Sequence, residues 1–338
     1  HRPSSAEPPE TDDPLRIERP KTKAAGLASV ASSFSHMHRH GHSLPSAMRI
    51  LGQMNQTDGF DCPGCAWPDP DDRAALTEFC ENGAKAAAWE TTRRRIGGPF
   101  FQRHSIDDLA RRSDYWLGLQ GRLTEPLLLR PGSRFYEPIS WKEAFRRVAE
   151  GLKALDSPNE AIFYTSGRTS NEAAFLDQLF VRAFGTNNLP DCSNMCHESS
   201  GVGLGETVGI GKGSVTLNDI HEADTIIVMG QNPGTNHPRM LTALQKAKKR
   251  GAKIIAINPL PEAGLMGFVN PKSPAQVLTG GTQIADLFLQ VRINGDVALL
   301  TALMCLLLEA EAERPGEVLD EDFIGLYTDG FDTLRAHL

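Results

Sequence analysis

The sequence predicts an α/β fold with a parallel, doubly wound sheet, and three observations carry that reading. Short, largely apolar runs recur at residues 161–164, 225–229 and 253–257. Segments of helical periodicity separate them, and loops rich in Asn, Gly and Pro follow the later two. Strands of that length, alternating with helices, belong to a parallel sheet covered by helices.

Residues 1–45 are rich in Pro, Ser, Lys, Glu and His and lack hydrophobic periodicity, which predicts a disordered tail. Its run His36-Met37-His38-Arg39-His40-Gly41-His42 has transition-metal donors, but the alternating spacing in a floppy tail reads as incidental. Residues 46–123 hold Cys62, Cys65 and Cys80, several prolines and a small-residue stretch from Ala84 to Ala88. They read as a small, irregular, metal-supported unit.

From residue 124 the texture changes. Leu127-Leu128-Leu129 predicts a short strand, and Phe135-Tyr136-Glu137-Pro138 a second approach. Ser140-Trp141-Lys142-Glu143 fits a capping box and opens a helix to Leu155, with Ala144, Phe145, Val148, Leu152 and Leu155 on one apolar face. A strand at 161–164 and a helix at 171–184 follow, which closes a segment spanning 124–190. The second segment, 191–338, alternates a strand at 225–229, a helix at 238–250 ending on Gly251, and a strand at 253–257. A strand at 287–291 and a helix at 297–309 complete it.

Composition narrows the function classes. At 338 residues the chain has room for about two domains. Its 40% hydrophobic and 23% charged content is that of a soluble globular protein. A net charge of −7 without a broad basic patch disfavours a nucleic-acid partner. The most apolar stretch, 297–308, is flanked by Asp296 and Glu309 and is shorter than a bilayer requires, so no membrane span is expected. No apolar signal core is visible. Six cysteines in a chain this long do not make a disulfide framework, and Cys62-Pro63-Gly64-Cys65 points to metal or redox use in a reducing compartment. The expected location is the cytoplasm.

Three loops concentrate ligand-binding chemistry. Gly230-Gln231-Asn232-Pro233-Gly234-Thr235-Asn236-His237-Pro238 follows a strand and opens a helix, where free amides suit a phosphate or nucleotide. Asn258-Pro259 ends the next strand, and Asn294-Gly295-Asp296 precedes the following helix, with a carboxylate suited to a ribose or a guanine edge. A dinucleotide fingerprint fails because Ser214 stands where the last glycine of Gly209-Ile210-Gly211-Lys212-Gly213 should follow. A phosphate-binding Walker loop fails too, since Gly213 follows Lys212 and the upstream glycine is missing.

Cys62, Cys65 and Cys80 lack the second close pair of a zinc ribbon and suit an iron–sulfur cluster better, with structural zinc or free thiols as the alternatives. A four-cysteine cluster would place a cysteine where Asp69 stands. Either Asp69 supplies an oxygen ligand, or the cluster is three-cysteine or otherwise remodelled. Cys196 is a soft donor beside His197, between a Gly185-Thr186-Asn187-Asn188 turn and a glycine-rich run from Gly201 to Gly213. It is a candidate anchor for a metal cofactor, and a small buried hydrophobe is the alternative.

Taken in order, these pieces resemble the bis-molybdopterin guanine dinucleotide oxidoreductases, in particular the branch like formate dehydrogenase alpha subunits. Further matching pieces are Ile139-Ser140-Trp141-Lys142-Glu143-Ala144, Thr165-Ser166-Gly167-Arg168-Thr169-Ser170-Asn171-Glu172 and Gly251-Ala252-Lys253-Ile254-Ile255. The resemblance runs from about residue 60 to the C-terminus.

It implies a molybdenum-bearing bis-molybdopterin guanine dinucleotide cofactor, with Cys196 as the metal thiolate and His197 as the active-site histidine. It implies a 4Fe-4S cluster at Cys62, Cys65 and Cys80, with Lys85 between cluster and pterin. It also implies cofactor contacts at Arg168, Asn232, Thr235, Asn236, Asn258, Gly295 and Asp296. By the same likeness the substrate is a small molecule, formate first, with another oxyanion or an N- or S-oxide as the alternative. Electrons would leave through the cluster to an electron-transfer protein. Relatives run longer, which implies the N-terminal portion of such an enzyme: a split first α/β domain at 124–190 and an incomplete cofactor-binding domain at 191–338. A non-catalytic cofactor-binding remnant is the remaining reading.

Overall fold

The computed structural model describes residues 19–65, 67–69, 77–190 and 197–338. Three helices come first: α1 (Gly26–Arg39), α2 (Leu44–Gln53) and α3 (Glu81–Glu90). They pack on one another through Met37, Ala47, Leu51, Met54, Ala84, Ala87 and Ala88, all buried. Alanine on the inward face of α3 lets the neighbouring helices approach closely.

The disordered tail expected over 1–45 is therefore not what residues 26–45 form. Their low hydrophobicity hid a few anchors, of which Met37 is fully buried. Ala24–Ala25 also pairs in parallel with Phe268–Val269, 244 residues on in the register Ala24↔Phe268. The histidine run has a structural use. His40 Nδ1 meets Thr92 Oγ1 at 3.2 Å, and His42 meets Ser46 Oγ at 3.2 Å and Thr91 Oγ1 at 3.0 Å. These contacts fasten the turn between α1 and α2 to the end of α3.

The middle of the chain matches its local signals but not its expected sheet. Leu127–Leu128 pairs antiparallel with Glu137–Pro138. Helix α4 (Trp141–Lys153) starts on Ser140, whose Oγ accepts from the Glu143 amide at 3.1 Å. Its apolar stripe is there, yet it faces outward, with Phe145 65% and Val148 59% exposed. Helix α5 (Asn171–Phe184) is capped by Ser170 and closed by Gly185 at φ 110°, a left-handed conformation that glycine reaches without strain. Residues 161–164, expected as a strand, form none. Their polar groups are taken by the turn after α5: the Phe163 amide donates to the Asn188 carbonyl at 3.0 Å, and Asn188 Nδ2 donates to the Ala161 carbonyl.

The last segment carries the parallel sheet. Strands β1 (Thr225–Met229), β2 (Lys253–Asn258) and β3 (Leu287–Gln290) lie in the order β1-β2-β3, all parallel, with Ile227 opposite Ile255 and Ile257 opposite Leu289. The crossover from β1 to β2 is helix α8 (Met240–Arg250), which follows α6 (Glu198–Val208) and α7 (Leu217–Glu222). Helix α9 (Asp296–Glu313) follows β3. Leu241 and Leu244 of α8 pack on Val228, Ile254, Ala256, Leu265 and Phe268. Truncating either leucine to Ala would cost about 2–5 kcal/mol. Alternation along β1 puts Val228 in this core and leaves Ile227 exposed on the opposite face. Among the described residues no helix is long and apolar enough to cross a membrane.

Candidate cofactor site

Parallel strands bring their carboxyl ends to one edge, so the loops after β1, β2 and β3 share it. Asn232 and Thr235 stand in the first loop, Asn258 at the end of β2, and Gly295 and Asp296 at the start of α9. Asn232 Nδ2 donates to Glu262 Oε2 at 2.8 Å, and its carbonyl accepts from the amides of Thr235 and Asn236. Asn258 is buried, and its Nδ2 donates to the Leu260 carbonyl at 2.8 Å. The first loop lies tightly on the next. A Cβ on Gly264 would come within 2.7 Å of the Gly234 amide, so the backbones touch only because both residues are glycine.

The cysteine unit meets this edge. Asn82 Nδ2 donates to the Thr235 carbonyl, which joins α3 to the first loop. Cys80, Asn82, Lys85, Thr235, Arg239 and Lys272 line one cavity of about 520 Å³ between the helical unit and the α/β layer. Lys85 Nζ is 2.8 Å from Glu81 Oε1, which also accepts from Ser32 Oγ of α1. Thus Cys80 and Lys85 from the cysteine unit and Thr235 from the first sheet-edge loop line one cavity.

The three cysteines come from a loop and a helix start. Cys80 is the N-cap of α3. Its sulfur accepts from the Gly83 amide at 3.3 Å, and the Cys62 sulfur accepts from the Gly64 amide at 3.3 Å. A Cβ on Gly83 would sit 2.9 Å from Cys62 Sγ, 3.1 Å from Met54 Sδ and 3.6 Å from Cys80 Sγ. Burial pushes the Cys80 thiol pKa up, and Cys62 and Cys65 add to that against the Gly83 amide. Neighbouring thiolates repel, and a cationic iron core removes that cost. Among the described residues no three His, Cys, Asp or Glu side chains converge as on a single metal ion. The fit to an iron–sulfur cluster rests instead on three free thiols, two N–H···S contacts and a glycine that keeps Cβ volume away from the sulfurs.

Other expected residues lie apart from this cavity. Arg168 pairs with Glu90 at 3.3 Å and stacks over Trp89 at 5.9 Å, so its loop leans on the far end of α3. His197 is exposed at the start of α6. Cys196 falls outside the described residues. Half of the glycines in the run beside it are helical: Gly201, Gly203 and Gly205 lie within α6, and Gly209 closes it. Asp69 pairs with Arg239 at 2.7 Å.

Sequence reasoning missed Asn55, Glu81, Gly83 and Arg239. Asn55 is buried at φ 55°; its Oδ1 accepts from the Cys62 amide at 2.8 Å and its Nδ2 donates to the Glu78 carbonyl at 2.7 Å. Its signal was the turn-forming run Asn55-Gln56-Thr57-Asp58-Gly59. Arg239 gave none, because its partner Asp69 is 170 residues away.

A parallel sheet with nucleotide-type loops at its carboxyl edge, joined through a cavity to a cysteine-bearing helical unit, defines a cofactor-binding α/β protein. The chain belongs to the molybdopterin oxidoreductase family, whose model matches residues 122–309. An uncharacterized oxidoreductase of Mycobacterium tuberculosis is 56% identical over 315 residues, covering 93% of this chain and 40% of that protein. The protein YdeP of Escherichia coli (strain K12) is 48% identical over 318 residues, 92% of this chain and 42% of that one. An F420-dependent formate dehydrogenase alpha subunit of Methanococcus maripaludis is 31% identical over 218 residues, covering 64% and 28%. The chain thus spans about 40% of the length of the first two relatives.

Proposed function

We propose that this chain binds molybdenum bis-molybdopterin guanine dinucleotide together with an iron–sulfur cluster, as part of an enzyme that oxidises formate to CO2. The observation that carries the reading is the cavity where Cys80 and Lys85 of the cysteine unit meet Thr235 of the first sheet-edge loop. Family membership supports the pterin cofactor, and the distant likeness to a formate dehydrogenase supports the substrate.

The bound cofactor would supply the two-electron redox chemistry that side chains cannot perform. The chain's own residues have definable tasks. Asn232, Thr235, Asn236, Asn258, Gly295 and Asp296 offer amides, side-chain amides and a carboxylate to a guanine dinucleotide at the sheet edge. Arg168 offers a cation to the pterin side, Cys196 a thiolate to the metal, and His197 an imidazole to hold or move the substrate's proton. Lys85 keeps a positive charge between cluster and pterin. Cys62, Cys65 and Cys80 hold the iron. Oxidising formate to CO2 releases one proton and two electrons, and an electron-transfer protein would receive those electrons.

Formate-dependent dye reduction by the metal-loaded protein tests the substrate. Activity supports the reading. Inactivity with formate, together with oxidation of reduced dye by an oxyanion or an N- or S-oxide, transfers the same site to that substrate. That outcome draws on the two relatives of higher identity, neither of which is named for formate.

A further inference from the structure

We infer that Asp69 is one jaw of a clamp on Arg239 and not an iron ligand, so that Cys62, Cys65 and Cys80 alone hold the cluster. This rests on the iron–sulfur part of the proposed function. Arg239 is 11% exposed, and its partners are Asp69 Oδ1 at 2.7 Å, Glu78 Oε2 at 3.7 Å and the carbonyls of Trp67 and Pro68 at 3.2 and 3.3 Å. A guanidinium cannot shed its proton, and a nearly buried one needs its acceptors. Drawing Asp69 onto iron would leave this cation with two carbonyls and one carboxylate at 3.7 Å.

Two further observations agree. The atoms crowding Gly83 are the sulfurs of Cys62, Cys80 and Met54, with no carboxylate among the three nearest. Asp69 is 42% exposed, a poor environment for an oxygen ligand that must exclude water from iron. The clamp also has a second member. Lys272 Nζ reaches the Thr77 carbonyl and Glu78 Oε1, so cations from the α/β layer grip the chain both after Cys65 and before Cys80. Arg239 stands at the first position before α8, directly after the first cofactor loop, and the pair therefore fixes how that loop meets the cysteine unit.

A cubane held by three cysteines has one iron without a protein thiolate. Ferricyanide should take one electron from it, converting the 2+ four-iron core into a 1+ three-iron core with release of one Fe2+. Four forms of the anaerobically purified full chain test this: wild type, Asp69→Ala, Asp69→Cys and Arg239→Ala. Iron content and the EPR spectrum should be the same in Asp69→Ala as in Arg239→Ala. Asp69→Cys should still lose iron to ferricyanide. Amide exchange around residues 67–69 and 77–80 should quicken about 3- to 10-fold in both Asp69→Ala and Arg239→Ala, and no further when the two are combined. Loss of iron in Asp69→Ala but not in Arg239→Ala, or a ferricyanide-resistant cluster in Asp69→Cys, would overturn the inference. A wild-type chain that binds no iron would refute the cluster reading itself, while the exchange comparison would still decide the clamp.

Discussion

Glu81 and Lys85 lie one turn apart on α3 with 2.8 Å between Oε1 and Nζ, and the same Glu81 oxygen accepts from Ser32 Oγ of α1 at 2.8 Å. The lysine expected between cluster and pterin is therefore held by a carboxylate that is itself tied to a second helix. Replacing Glu81 by Gln should cost only about 0.3–1 kcal/mol, as for a partly exposed pair at this spacing. Urea unfolding reads that cost. Lys85→Ala should leave iron content unchanged and slow dye reduction, and a Lys85→Ala protein with normal turnover would remove the lysine from the electron path.

Asn55 makes a larger claim on stability. Its buried side chain is the partner of both the Cys62 amide and the Glu78 carbonyl. Asn55→Ala should cost about 1–3 kcal/mol by leaving those groups unpaired, and should lower iron retention. Asn55→Asp keeps the acceptor for Cys62 and should retain more iron than Asn55→Ala. Equal iron in both variants would contradict a role in setting the cysteine loop.

Gly83 sets two effects against each other. Alanine within a helix gains up to about 1 kcal/mol over glycine. The added Cβ at 2.9 Å from Cys62 Sγ must displace a sulfur or Met54, and overpacking costs roughly 1–3 kcal/mol. Packing should win, so Gly83→Ala lowers both the thermal midpoint and the iron content. A stabilised variant with full iron would show that the sulfurs are not gathered round this glycine.

His40 predicts an acid limit. Its Nδ1 faces Thr92 Oγ1, while its buried Nε2 has no hydrogen-bond partner among the described residues. Burial holds its pKa below the ordinary 6.5, and Arg94, His36 and His42 push the same way. Below pH 6.5 the unfolded chain takes up a proton that the folded ring resists. Stability from this group is then full above 6.5 and declines as pH falls toward the lowered value. Unfolding midpoints at about pH 7.5 and about pH 5.5 should differ less in His40→Leu than in wild type. An unchanged difference would place the acid sensitivity elsewhere.

What the sequence revealed followed the range of the forces involved. Ser140 and Gly251 act within one turn, and each helix boundary they predicted is close to the observed one. The strands 225–229 and 253–257 were legible because apolar runs of that length have few other uses. The N-terminal helix α1 was not legible, since its anchors are sparse and their partners lie on α2 and α3. Residues 161–164 misled for the opposite reason: an apolar run reads as a strand whether or not a neighbour is present to pair with it. In the site, residue types such as Cys62 and Lys85 stood out, whereas Asn55 and Arg239 matter through partners distant in sequence and were silent.

Metal analysis of the anaerobically purified chain tests the central claim most directly. Near-stoichiometric molybdenum with iron in the same protein is the predicted result, and Cys196→Ala should abolish turnover of that loaded protein. A folded chain that carries neither metal after expression with both supplied would contradict the account.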